Sequence, residues 1–182
     1  MIRGHLPLWR GHALGSILFT LIACGGGTSS SDRSTPTATL PEQIKALEDT
    51  GQLPKLDRSS DIRGPDAENN GIRDDIDAWI ATLSITDAQK KAAQQASRVM
   101  QLELLADTND RTKLDQLGNA SMAAVKCLGD SFKPSYQKGL DLNAQIEAIT
   151  ANTQQRAKQY LAYNRAVSGS SGRLPEGNTC EP

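Results

Sequence analysis

Histidine, cysteine and aromatic side chains are all scarce in this chain, and each scarcity removes chemistry. The two histidines, His5 and His12, both fall in residues 1–23, which have the form of a removable export signal. A mature chain of about 160 residues then carries none, enough chain for one domain with a single core. Without imidazole there is no Ser-His-Asp or Cys-His relay and no zinc site that needs a histidine ligand. Three cysteines are too few for a thiolate zinc cluster or an iron–sulfur site. Lys plus Arg is 20 against 21 for Asp plus Glu, so the phosphate backbone of a nucleic acid meets no basic surplus. Beyond the signal the aromatic residues are Trp79, Phe132, Tyr136, Tyr160 and Tyr163, few stacking faces for a sugar-binding cleft. No stretch alternates apolar and polar residues as an exposed strand does.

What is present begins with an address. Arg3 and Arg10 supply a positive start, and residues 13–23 are apolar and free of charge. That run is too short to span a bilayer. It ends Leu21-Ile22-Ala23-Cys24, which resembles the lipobox of bacterial lipoproteins. The resemblance implies cleavage before Cys24, a thioether-linked diacylglycerol on its sulfur and acylation of its amine. Such an anchor contributes about 0.8 kcal/mol per buried methylene and is effectively permanent. Gly25, where an Asp would resemble an inner-membrane retention signal, favours the outer membrane, facing the periplasm. The alternative is an ordinary signal peptide or uncleaved anchor with an incidental Cys24. Residues 24–39 are rich in Gly, Ser and Thr and read as a flexible, lipid-anchored linker.

The remainder has helical periodicity. Thr39, Pro41 and Glu42 form a helix start, with Ile44 and Leu47 as a short apolar face before Gly51. A loop of about 20 residues follows. Ile72, Ile76, Trp79, Ile80 and Leu83 form a second stripe, and Thr86 with Gln89 a capping box for a third helix with small inner residues, Ala88, Ala92 and Ala96. Leu114, Leu117, Ala124, Val125 and Leu128 make the next stripe, closed by Gly129. After Pro134 one long helix runs from Tyr136 through Leu142, Ile146, Ile149, Thr153, Ala157, Tyr160 and Leu161 to Val167. The expected architecture is all-α, a bundle of four main helices plus a short N-terminal one over residues 40–167, with a long loop leading into the second helix. Residues 168–182 read as a tail.

The long loop carries the one constellation with chemistry in it, an acidic stretch at 57–77. Asp66, Glu68 and Asn70 stand at alternate positions, Gly71 allows a bend, and Ile72, Asp74 and Asp77 follow. A hard cation such as calcium needs six to eight oxygens from a short piece of chain, and this spacing offers side-chain oxygens at positions 1, 3, 5, 9 and 12 and the Ile72 carbonyl at 7. The pattern resembles EF-hand-like loops, and most closely thrombospondin-type-3-like repeats, over about twelve residues. It departs from them at Glu68, one methylene longer than usual, at Arg73, where an aliphatic residue is normal, and at Asp77, shorter than the usual Glu. The resemblance implies a weak, structural calcium site. The competing reading is a helix N-terminus capped by Asn70 with Asp74 and Asp75 in its first turn.

Cys127 and Cys180 remain once Cys24 is lipidated, and an oxidising compartment favours their pairing over a buried free Cys127 with a loose Cys180. Trp79, inside an apolar stripe, reads as core. Three classes of function stay open. The first is a tethered module that binds another protein, as small inhibitor or immunity lipoproteins do. The second is a structural or assembly accessory of the envelope. The third, an enzyme, would have only carboxylate chemistry available; no catalytic residues are assigned.

Overall fold

A computed structural model describes residues 38–182; Cys24 and most of the linker lie outside them. Six helices and, among the described residues, no strand make up the fold: α1 (Leu40–Asp49), α2 (Asp74–Thr82), α3 (Asp87–Leu104), α4 (Arg111–Ser131), α5 (Tyr136–Thr150) and α6 (Gln154–Val167). The all-α expectation holds. None of these helices is long and apolar enough to cross a membrane.

The helices start where local chemistry starts them. The Thr86 hydroxyl accepts from Gln89 N at 3.3 Å and the Gln89 side chain accepts from Thr86 N at 2.9 Å, the reciprocal cap that opens α3. Asp110 accepts from Lys113 N at the head of α4. The expected last helix is two helices, not one. Thr153 sits at the N-cap of α6, its hydroxyl accepting from Arg156 N, while Ala151 ends α5. The apolar positions stay in phase across the break, so periodicity alone runs over it.

Gly129 is a second correction. It does not close α4, which continues to Ser131, but lies in the contact between α4 and α5. A Cβ on Gly139 would lie 2.5 Å from the Leu128 carbonyl oxygen and 2.7 Å from Gly129 Cα. Helices can approach this closely only where side chains are missing.

α3, α4 and α5 pack mutually; α2 lies against α3 and α5, and α6 against α3 and α4. The main core joins Ile72, Ile76 and Ile80 to Ala92, Ala93, Ala96 and Val99 of α3, Leu128 of α4, and Leu142 and Ile146 of α5, with Trp79 against its edge. Small residues on α3 let its neighbours close in. A smaller cluster of Leu114, Leu117 and Tyr163 ties α4 to α6. α1 buries none of its residues.

Candidate functional site

Residues 52–73 contain no helix or strand, yet two arginines hold them to the bundle. Arg156 of α6, with no exposed surface, donates to Asp57 O at 2.7 Å, Asp57 Oδ2 at 2.5 Å, Asp61 O at 2.7 Å and Ile62 O at 3.1 Å. Burial alone would raise the Asp57 carboxyl, but hydrogen bonds from Arg156 and Ser59 outweigh it and hold it below its ordinary value. Arg73, equally buried, forks onto Asp75 at 2.6 and 2.9 Å and reaches the Ile149 and Thr150 carbonyls at the end of α5. A cation belongs at a helix C-terminus, where carbonyls lack partners. Asp75 also accepts from Asp57 N at 2.7 Å, so the two anchors share a strand of loop. Arg73, one of the three departures from the calcium-loop pattern, is thus one of the two arginines that dock the loop.

Within this frame the carboxylates of Asp66, Glu68 and Asp74 each place an oxygen within 4.8 Å of the others. Oxygens bound to one calcium at about 2.3–2.6 Å lie no more than about 5 Å apart, so the three can share an ion. Asp66 is held by Asn70 N and Gly71 N, both at 3.0 Å, and Asp74 by Ala67 N at 2.8 Å. Gly71 takes a left-handed φ of 80°, and Asn69 one of 53°, making the bend that turns the side chains together. Asn70 and Asp77 are not in the trio. Asn70 Nδ2 donates to Asp77 Oδ2 at 2.5 Å, Asn70 Oδ1 accepts from Ile72 N at 2.8 Å, and Gln94 holds the other Asp77 oxygen at 3.1 Å. Ile72 is 1% exposed and part of the core. Asn70 does not cap α2 either: the N-cap is Arg73, with no side-chain cap bond, and Asp74, Asp75 and Asp77 lie in the first turn.

Cys127 and Cys180 are disulfide-bonded, their Cα atoms 4.9 Å apart. The tail around them is seated: Gln95 donates to Thr179 O at 3.0 Å and accepts from Glu181 N at 3.0 Å, Thr179 donates to Ala123 O at 2.8 Å, and Lys126 to Gly177 O at 2.9 Å.

A second constellation escaped the sequence reading. α3, α4, α5 and α6 enclose a cleft of about 660 Å³, with Glu103, Glu147, Tyr160 and Tyr163 on its walls. Glu103 is 4% exposed. Burial pushes its carboxyl up to about 7, against hydrogen bonds from Ser121 and Tyr163 and with the help of Glu147. Burial likewise pushes the Tyr160 hydroxyl up to about 12 and raises that of Tyr163. The signal was one acidic residue at a core position of the α3 stripe, three residues after Met100. No known family, curated protein or solved structure matches the chain.

Proposed function

We propose that this chain is a lipoprotein of the outer membrane, anchored through Cys24 and facing the periplasm, whose calcium-stabilised helical module binds another protein. The observation that carries the binding reading is α1. It follows the linker in sequence, buries no residue and leaves Leu40 69% and Leu47 37% exposed, with Leu53 just beyond it 40% exposed. Leu40, Pro41 and Ile44 floor an apolar groove of about 670 Å³. Its rim charges are already matched, Lys45 with Asp49 at 2.6 Å and Arg58 with Glu48 at 2.7 Å. An apolar helix face of this kind fits a partner's apolar anchor residues. The Asp66, Glu68 and Asp74 trio supports the calcium clause, since three carboxylates this close repel one another unless a cation joins them.

The test is a photoreactive residue at position 47, activated in intact cells. The reading expects a discrete protein adduct that is lost in Ile44→Lys, and an unacylated, unprocessed protein in Cys24→Ala. Adducts to lipid alone, or none, overturn the binding reading. An adduct that forms in resting cells favours the second class, an accessory of an envelope complex, whereas one that forms only with an incoming foreign protein favours an inhibitor.

A further inference from the structure

The cleft between α3, α4, α5 and α6 is independent of both the acidic loop and α1. Its charge is one-sided. Glu103 comes from α3, Asp115 from the mouth on α4 and Glu147 from α5. The cation facing it is Arg111, also on α4, whose guanidinium donates to Ala166 O at 2.7 Å. Among the described residues no lysine or arginine forms an ion pair with Glu103, Asp115 or Glu147. The groups that act on Glu103 are the neutral hydroxyls of Ser121 and Tyr163 and the carboxylate of Glu147, which also acts on Tyr160.

A carboxylate this deeply buried normally has a cation beside it, because an uncompensated buried charge is costly. Here that place opens onto a cavity. Tyr160 and Tyr163 line the same space, and aromatic rings attract cations. Met100, Leu114 and Val167 give the remaining wall an apolar character. The volume falls within the range of small-molecule sites, about 300–1,000 Å³.

We propose that this cleft binds a small organic ammonium ion with an aliphatic stem, the cationic head lying against the Glu103 and Glu147 carboxylates and the two tyrosines, the stem against Met100, Leu114 and Val167. A free alkyl diamine and a lysine side chain share this chemistry. The ligand takes the place of the proton that Glu103 otherwise holds, so binding and protonation compete. Burial keeps Glu103 protonated up to about pH 7. The competent, ionised fraction is then about one in thirty near pH 5.5 and nearly complete near pH 8.5, while an alkylammonium stays charged at both.

Titration calorimetry on the full chain in non-ionic detergent tests this, with diaminopentane, a lysine blocked at both ends, and the uncharged pentanediol. The expected result is saturable binding of diaminopentane or blocked lysine about 30-fold tighter near pH 8.5 than near pH 5.5. Pentanediol should not bind. Preference for the diamine identifies a free amine as the ligand, and preference for blocked lysine a polypeptide side chain. Glu103→Gln should remove the pH dependence and most of the affinity. If that variant does not fold, Glu147→Gln, at a half-buried position, should weaken binding about tenfold. The proposal is overturned if neither amine binds at about 10 mM, if pentanediol binds as well as the diamine, or if the affinity is indifferent to pH.

Discussion

Three side chains with little or no exposed surface, Arg73, Arg156 and Glu103, do most to set this molecule apart from a generic bundle. None was legible as buried in the sequence, because hydrophobic periodicity registers apolar residues and passes over charges at the same positions. Arg73 pairs with Asp75 and two α5 carbonyls. Arg73→Leu, which restores the aliphatic residue usual in such loops, strands that carboxylate and those carbonyls. It should cost about 3–5 kcal/mol in urea unfolding and speed amide exchange across 57–73. A loss under about 1 kcal/mol would show that the pair matters little. Glu103 works in the opposite direction. Its folded-state pKa of about 7 lies above the ordinary 4.5, so the folded protein keeps a proton that the unfolded chain releases between those values. Stability on this account is greatest below about pH 4.5, falls as pH rises to 7 and is level above, by up to about 3 kcal/mol. Glu103→Gln should flatten that slope and raise the melting temperature above pH 7. A variant that melts lower than the wild type near pH 8 would contradict this.

The helices themselves were largely legible. Capping residues and apolar stripes placed α1 to α4 within a few residues, because those signals are local. The α5–α6 break was not, since Thr153 fits both the apolar stripe and an N-cap. Nor was the α4–α5 crossing, which depends on two glycines meeting through space. Gly139→Ala should destabilise despite alanine's better helix propensity, because its Cβ would meet the Leu128 carbonyl oxygen at 2.5 Å; overpacking of this kind costs about 1–3 kcal/mol. Gly118→Ala, with nothing within 4 Å, should stabilise by up to about 1 kcal/mol. Equal effects at the two sites in thermal melts would refute the crossing. At the loop, spacing brought Asp66, Glu68 and Asp74 together as the structure does. It did not reveal that Asn70 and Asp77 bond to each other, since a position pattern says which residues share a loop and not which of them pair. Calcium at about a hundred times its dissociation constant should add about 2.7 kcal/mol, several degrees of melting shift. Magnesium should do less, and Asp66→Ala should abolish the response with helix content unchanged. Identical wild-type melts in chelator and in millimolar calcium would dismiss a folding-linked site.

At the scale of the whole molecule, two clasps act on different parts of the bundle. The arginines fasten residues 57–75 to the ends of α5 and α6, while the Cys127–Cys180 disulfide fastens the tail to α4. That bridge was expected from the export-signal resemblance and the two cysteines beyond Cys24, but not the bed of hydrogen bonds with Gln95, Ala123 and Lys126 that receives the tail. The bridge spans 53 residues of chain. Closing a loop of that size removes unfolded-state entropy worth about 4 kcal/mol, or roughly 10–20 °C of melting temperature for a domain this size. Reduction should therefore lower the melting temperature by that amount while far-UV circular dichroism at low temperature keeps its helical amplitude, since the tail contributes no helix. Because the arginine clasp does not pass through the tail, amide exchange in the loop should stay close to its oxidised rate under native conditions, and only the tail should open. A protein whose loop and tail open together on reduction would mean that the two clasps are coupled through the core, and a melting temperature unmoved by reduction would mean that the hydrogen-bonded bed already holds the tail.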